Sequence, residues 1–285
     1  MRICRYNNDR LGLVLGDEVA DVTAALRAIP ESRWPLPAGD PIIKYFGELR
    51  PEIERIARDA KRVPIANVRL DSPLTSVSKV IAAPVNYHKH LAEARADVGV
   101  NFGSEIKTID YYGLFLKSSS SIVGPSDGIL LPDAVRRIDH EVEVVVVIGR
   151  ECFRVSEAEA LDHVFGYCIG LDMSVRGTED RSWRKSYDTF TVLGPHLVTK
   201  DEVADPGNID FWVEVNGSRR QASNTSALIF SIPKLIAYAS SAYRLYPGDI
   251  IMTGTPEGVG PVVDGDRLSA FAAGLGQMTV PVRNL

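Results

Sequence analysis

The sequence predicts an α+β fold in which short β-strands predominate. Its 285 residues suffice for one large or two modest domains, and the 45% share of hydrophobic residues is ordinary for a globular chain. Many short apolar runs end at Gly, Pro, Asn or Asp, whereas few segments have helical spacing of apolar residues. We therefore expect a small N-terminal α+β domain over residues 1–70 and a strand-rich domain over residues 71–285.

Three consecutive patterns predict the N-terminal domain. Leu11–Leu15 and Val19–Val22 flank a Gly-Asp pair, which is typical of a β-hairpin. Residues 42–61 carry apolar side chains at helical spacing with charged residues between them. Pro64 and Pro73 then bracket a predicted linker.

The second domain changes to short strands separated by turns. Strands are predicted at residues 80–83, 113–117, 141–148, 165–172, 211–215, 218–221, 249–253 and 279–282. Asn216-Gly217 separates two of them and is a signal for a type I′ hairpin turn. Helices are predicted at residues 86–96 and 232–241, and a third from Ser156 to His163, where Glu159 stands at capping-box spacing.

Charge and cysteine usage exclude several functional classes. The net charge is -5, and no Lys/Arg block suggests nucleic acid or an anionic membrane as a partner. The longest apolar run, Val144–Ile148, is too short to span a bilayer, and the N-terminus has no apolar signal region. The three scattered cysteines form neither a disulfide framework nor a paired zinc motif. We expect a soluble, cytoplasmic protein without nucleic-acid or membrane partners.

Three carboxylates are placed as a metal site would require. Glu141 and Glu143 share one face of a predicted strand, and Asp172 ends the next apolar strand. Oxygen ligands without a nearby cysteine suit Mg²⁺, Mn²⁺ or Ca²⁺. Solvated charges at the strand edge, with Asp172 as a helix cap, fit the same spacing. The spacing alone leaves both interpretations open.

Other polar groups suggest catalysis but also allow plainer interpretations. His90 and Glu93 are neighbours on a helix, so the carboxylate would orient the imidazole as a general base; a surface ion pair fits equally. Lys185 lies among aromatic residues, where it would either stabilise an oxyanion or remain solvated. The turn Thr253–Gly260 lacks the lysine of a phosphate loop, but its bare backbone amides suit a carboxylate.

Taken together, these segments resemble the fumarylacetoacetate hydrolase family, in particular its branch that hydrolyses acylpyruvates and other 2,4-diketo acids. The resemblance covers residues 78–285 in the order Asn86-Tyr87-x-x-His90-x-x-Glu93, Leu114–Lys117, His140–Glu143, Asp172–Arg176, Lys185–Thr189, Val215–Gly217, Arg220-Gln221 and Gly248–Pro256. It implies a mixed β-roll catalytic domain, a small N-terminal domain and a homodimer.

The resemblance also implies a role for each matching residue. The metal ligands would be Glu141, Glu143 and Asp172, holding Mg²⁺ or Mn²⁺, with Ca²⁺ as an alternative. The catalytic residues would be His90 and Glu93, which activate water, and Lys185, which stabilises an oxyanion. The residues expected to contact the substrate, a small keto acid, are Tyr87, Lys117, Arg176 and Thr255.

The implied activity is hydrolysis of a carbon–carbon bond in a 2,4-diketo acid, either an acylpyruvate or a 2,4-diketo-3-deoxy sugar acid. Alternatives with the same metal site are oxaloacetate decarboxylation and keto–enol isomerisation, and a non-catalytic binding protein is a third. The chain departs from the family at Pro84-Val85, where relatives often have Gly-Arg, and at Glu179, where close relatives have Gln. The long segment Ala94–Tyr112 is expected to reshape the lid, so the substrate's distal group stays open.

Overall fold

A computed structural model describes residues 1–36, 38–132 and 136–285. Its α-helices are α1 (Pro41–Lys44), α2 (Phe46–Ala57), α3 (His88–Ala96), α4 (Val98–Asn101), α5 (Ile109–Tyr112), α6 (Arg181–Arg184) and α7 (Ile232–Ala242). The strands up to residue 148 are β1 (Arg2–Tyr6), β2 (Arg10–Leu15), β3 (Glu18–Asp21), β4 (Arg62–Pro64), β5 (Leu70–Asp71), β6 (Val80–Ala82), β7 (Phe115–Lys117), β8 (Ile122–Val123), β9 (Ile129–Leu131), β10 (Ile138–His140) and β11 (Val142–Ile148). The later strands are β12 (Val164–Asp172), β13 (Ser174–Val175), β14 (Thr191–Thr199), β15 (Asp210–Val215), β16 (Ser218–Asn224), β17 (Ile250–Met252), β18 (Gly260–Pro261), β19 (Arg267–Ala272) and β20 (Gly276–Asn284).

A large mixed sheet runs through the molecule in the order β4-β3-β2-β1-β14-β12-β11-β17-β6-β7. Its centre is the antiparallel pair β11 and β12, in register from Val142 opposite Leu171 to Ile148 opposite Val164. Every residue of β11 is buried. The run of β-branched valines suits a strand that is covered on both faces.

A second sheet, in the order β16-β15-β19-β20-β9, packs over the first to form the main core. Side chains such as Val144, Ile169, Phe211 and Val280 meet between the layers. Helix α7 closes one side of this core with Leu235 and Ile236, among others. The expected strand-rich mixed fold is therefore confirmed.

The N-terminal segment has its own apolar cluster, yet it continues the central sheet. Strands β1 to β3 and helix α2 bury Leu11, Leu13, Leu49 and Ile53 together. Strand β1 also pairs with β14, with Ile3 opposite Leu197, so the two predicted domains share one sheet. The boundary near residue 70 stays a prediction.

Several local predictions can be compared with the elements. The hairpins β2–β3 and β15–β16 are confirmed. The helix predicted over residues 42–61 is interrupted at Tyr45 and ends at Ala57. The helix predicted from Ser156 is wrong: Ser156 does bind the Glu159 carboxylate, but only a 3₁₀ turn, Ala160–His163, follows. In the described ranges, no helix combines the length and apolar character needed to cross a membrane.

Candidate active site

The three predicted metal carboxylates meet at the ends of β11 and β12. Glu143 lies on β11, Glu141 directly precedes that strand, and Asp172 is the last residue of β12. The Asp172 amide donates a hydrogen bond of 2.8 Å to the Glu141 carbonyl, which locks the two strand ends together. One carboxylate oxygen from each of the three side chains lies within 4.8 Å of the others, and all three are buried.

Basic side chains near this cluster shift the pKa values of its carboxylates in different directions. Burial alone would raise the pKa of Glu141, but the Lys185 ammonium and the Arg176 guanidinium hold it below its usual range. Burial raises the pKa of Glu143 well above its usual range, and the carboxylates of Asp172 and Glu141 raise it further. Glu143 therefore needs another positive charge to stay ionised, which a metal ion would supply.

The donor set fits a hard divalent cation. The ligand atoms that this cluster offers are carboxylate oxygens. Mg²⁺ and Mn²⁺ prefer oxygen ligands, whereas Zn²⁺ is more often bound by nitrogen and sulfur. The turn predicted to hold a carboxylate also contributes here. The Gly254 amide donates a hydrogen bond of 2.7 Å to Glu143 Oε2, so this turn orients a candidate metal ligand.

Two buried lysines contact the same carboxylates. Lys185 Nζ lies 2.7 Å from both Glu141 Oε2 and Asp172 Oδ2, and it also donates to the Ser174 hydroxyl. Lys117 Nζ donates to Asp172 Oδ1 at 2.5 Å and to the Phe190 carbonyl. Burial lowers the pKa of Lys117 in spite of the adjacent Asp172 carboxylate. In this structure Lys117 therefore contacts a candidate metal ligand rather than facing the cavity as a free ammonium.

Arg176 is likewise engaged by carboxylates. Its Nε lies 2.7 Å from Asp139 Oδ2, and its Nη2 lies 2.9 Å from Glu141 Oε1. Arg137 binds Asp139 as well and reaches Asp97 at the end of α3. This ion-pair network connects Asp97, in the segment expected to form part of a lid, to Glu141 of the carboxylate cluster.

The His90–Glu93 pair forms as predicted on α3. His90 Nδ1 lies 3.2 Å from Glu93 Oε2, and Glu93 Oε1 accepts a hydrogen bond of 2.9 Å from the Gly258 amide. His90 is buried and lines the same cavity as Glu141 and Asp172. Because Nδ1 faces Glu93, Nε2 is the ring nitrogen left to accept a proton from water.

The cavity beside the carboxylates is lined by both apolar and polar residues. The apolar lining residues are Ala83, Pro84, Val85, Ala94, Val100, Ile106 and Phe115. The polar lining residues are His90, Glu141, Asp172, Arg176, Arg181, Arg184, Lys185 and Thr255. The Pro84-Val85 departure and the lid segment therefore both face the cavity.

Two residues predicted to contact the substrate have other contacts in the structure. Tyr87 packs in the core against Phe211, with ring centroids 6.3 Å apart, and does not line the cavity in the described part of the chain. Thr255 does line the cavity, but its hydroxyl donates to the Val142 carbonyl and accepts from Gln221 Nε2. Gln221 also accepts hydrogen bonds at Oε1, including one from the Val142 amide, so it braces the start of β11.

Arg181 and Arg184 were not predicted as site residues. Both line the cavity from α6, which directly precedes Lys185. Burial lowers the pKa of Arg184, and the nearby guanidiniums of Arg176 and Arg181 lower it further. Their Arg-x-x-Arg spacing, one helical turn apart, is the signal that would have placed both on one face.

Comparisons with known proteins agree with this geometry. Residues 79–283 match the family model described as fumarylacetoacetate (FAA) hydrolase, C-terminal. The chain is 49% identical, over the full length of both proteins, to a maleylpyruvate hydrolase from Aquipseudomonas alcaligenes. It is also similar to the crystal structure of maleylpyruvate hydrolase from Sphingobium sp. SYK-6 in complex with manganese(II) and pyruvate. That match has 41% identity and a TM-score of 0.84, and it covers 100% of this chain and 99% of the other.

Proposed function

We propose that this chain cleaves maleylpyruvate to maleate and pyruvate. The chain belongs to the fumarylacetoacetate hydrolase family. It is a metal-dependent hydrolase that cleaves a carbon–carbon bond in 2,4-diketo acids. The observation that carries the proposal is that His90, which pairs with Glu93, lines one cavity together with Lys185, Glu141 and Asp172. A carboxylate oxygen of Glu143 lies within 4.8 Å of the other two carboxylates. The maleylpyruvate hydrolases to which the chain is similar over its full length support the choice of substrate.

Glu141, Glu143 and Asp172 would hold the divalent cation, and Mg²⁺ and Mn²⁺ are the ions that their oxygens favour. When bound, the cation supplies Lewis-acid polarisation of the oxygens of the 2-keto acid. Lys117 keeps Asp172 in place through its ammonium contact of 2.5 Å. The Gly254 amide does the same for Glu143.

His90 acts as the general base on a water molecule. Its Nε2 takes one proton, and the water oxygen forms a bond to C4 of the substrate, whose carbonyl electrons move onto oxygen. Glu93 holds the ring through Nδ1 and stabilises the imidazolium that results. The bond between C3 and C4 then breaks, and its electron pair leaves with C3 as the pyruvate enolate. The His90 imidazolium gives its proton to C3, which yields pyruvate. C4 becomes the new carboxyl group of maleate, which releases the second proton of the water to solvent.

Lys185 is the group placed to stabilise the oxyanion at C4. Its ammonium already contacts Glu141, Asp172 and Ser174. The Ser174 hydroxyl is the neutral partner among the three, so the developing oxyanion would replace it most readily. The two carboxylate contacts would keep the ammonium in position during this exchange.

Decarboxylation of oxaloacetate and keto–enol isomerisation need no activated water. The complete His90–Glu93 pair, braced by the Gly258 amide, favours hydrolysis over both. Oxaloacetate nevertheless belongs in the assay, because its turnover alone would point to a decarboxylase.

The test is turnover by metal-stripped protein with Mn²⁺ or Mg²⁺ added back, using maleylpyruvate, acetylpyruvate and oxaloacetate as substrates. Release of equimolar maleate and pyruvate, only with metal, is the expected result. The variant His90→Ala should lose this activity, whereas His88→Ala, on the exposed side of the same helix, is the matched control. Full hydrolysis by His90→Ala would contradict the proposed base.

We also infer a cytoplasmic homodimer, on the family resemblance. The free cysteines among the described residues, Cys4, Cys152 and Cys168, are all buried, which suits a reducing compartment. Light scattering after gel filtration should give twice the 31.2 kDa mass of one chain. A mass of 31.2 kDa would refute the dimer.

A further inference from the structure

Two arginines in the cavity have no carboxylate partner in the described residues. Arg184 donates from Nε to the Glu179 carbonyl and from Nη1 to the Val175 carbonyl, and no ion pair involves it. The Arg181 guanidinium stacks over the Tyr112 ring, 4.0 Å from its centroid, and forms no ion pair there. Both differ from Arg176, which two carboxylates already engage.

An acidic residue close to them in the chain binds a different arginine. Glu179, the residue that stands where close relatives have Gln, binds Arg136 with its Oε2 2.9 Å from Nη2. The described cavity wall therefore carries four cationic side chains against two carboxylates. A metal ion would add further positive charge. Such a site favours a ligand with more than one negative charge.

The two arginines are also placed suitably relative to the reacting groups. They stand one turn apart on α6, so their side chains share a face. Lys185, which contacts Glu141 and Asp172, follows Arg184 directly in the chain. A substrate with its keto-acid end at the carboxylate cluster and its C4 carbonyl at Lys185 would extend toward this pair.

We propose that Arg181 and Arg184 bind the distal carboxylate of the substrate and select acylpyruvates that carry two carboxylates over those with one. The proposal rests on the proposed function and names the part of the substrate that this wall recognises. Tyr112 of the lid segment holds the Arg181 guanidinium by its ring face, leaving the N–H edges free for the carboxylate. An arginine fork matches a carboxylate with two parallel hydrogen bonds.

The test compares maleylpyruvate, which has a distal carboxylate, with acetylpyruvate, which ends in a methyl group. In Arg181→Met and Arg184→Met, the ratio of kcat/KM for maleylpyruvate over acetylpyruvate should fall about 10- to 100-fold, the range for a charge-assisted hydrogen bond. Arg184→Lys keeps the charge and should fall less. Arg150→Met removes an exposed arginine outside the cavity and should leave the ratio unchanged. A ratio within threefold of wild type in both Met variants would overturn the proposal.

A binding measurement separates this proposal from the activity itself. Calorimetry with Mn²⁺-loaded protein should show maleate binding at least about 10-fold more weakly to Arg181→Met than to wild type, whereas acetate binding should differ little. Among the described residues, the Arg181 side chain makes no hydrogen bond to the backbone, whereas the Arg184 side chain makes two, so Arg181→Met is the less disruptive variant for the fold. If wild type releases no pyruvate, the proposed function fails, while the calorimetry still decides the role of the arginines. Equal maleate affinities would refute that role.

Discussion

Replacing Lys185 by Met would test whether the site is held together by charge. The ammonium lies 2.7 Å from both Glu141 Oε2 and Asp172 Oδ2, and all three side chains are at most 7% exposed. Lys185→Met keeps most of the length of the side chain but leaves two buried carboxylates without this partner. Removing one member of a buried ion pair costs about 3–5 kcal/mol. At about 2 °C per kcal/mol for a chain of this size, the metal-free protein should melt roughly 6–10 °C below wild type.

Metal should reverse much of this loss but not restore catalysis. A divalent cation among the same carboxylates replaces the missing charge, so Mn²⁺ should raise the melting temperature of Lys185→Met more than that of wild type. Turnover of maleylpyruvate at saturating Mn²⁺ should still fall about 10²- to 10³-fold, the usual effect of losing one oxyanion donor. The assays are thermal unfolding with EDTA or Mn²⁺, and steady-state kinetics.

The matched control is Lys79→Met. Lys79 Nζ lies 2.8 Å from the fully buried Asp249 carboxylate, and neither residue lines the cavity. This variant should also lower the melting temperature, but Mn²⁺ should stabilise it no more than wild type, and kcat/KM should not change. If Lys185→Met retained more than a tenth of wild-type turnover, the assignment of Lys185 to the oxyanion would be wrong. An equal response of both variants to Mn²⁺ would refute the charge argument.

Three further substitutions test other parts of the structure. Glu143→Gln should weaken Mn²⁺ binding at least about 10-fold in calorimetry, because it removes a charged ligand; unchanged affinity would exclude Glu143 as a ligand. Gly254→Ala should destabilise the protein by about 1–3 kcal/mol in urea unfolding, since φ is +99° and the new Cβ would lie 2.8 Å from the Asn86 Cβ. Burial lowers the pKa of His196 to about 4, so the unfolded chain binds its proton first as pH falls from about 6.5. Wild type should lose about 2 kcal/mol more than His196→Leu between pH 8 and pH 5, and equal losses would contradict this.

Local pattern could predict that the three carboxylates lie close together, whereas their assignment as metal ligands needed the family resemblance. A continuous valine run predicts a strand covered on both faces, and the alternation of side chains then puts Glu141 and Glu143 on one face. Asp172 needs only the antiparallel pairing of the next strand to reach them. The His90–Glu93 contact is also local, since both residues lie on one helix.

The rest of the cavity depends on tertiary packing that no short pattern contains. Strand β14 was not predicted, although its nine residues are all buried and it joins the N-terminal segment to β12. Tyr87 is adjacent in sequence to site residues but turns into the core against Phe211. Arg181 and Arg184 face the cavity because α6 packs beside β7, a contact between segments more than sixty residues apart.

The turn at Thr253–Gly260 contacts both the carboxylate cluster and the His90–Glu93 pair. The Gly254 amide donates to Glu143 of the carboxylate cluster, and the Gly258 amide donates to Glu93, the partner of His90. Two amides four residues apart in one turn therefore position the proposed metal ligand relative to the proposed general base. A shift of this turn would move both groups at once, and positioning errors of about 1 Å can cost catalysis about 100-fold. In the proposed mechanism, this turn therefore supports catalysis through its backbone amides rather than through its side chains.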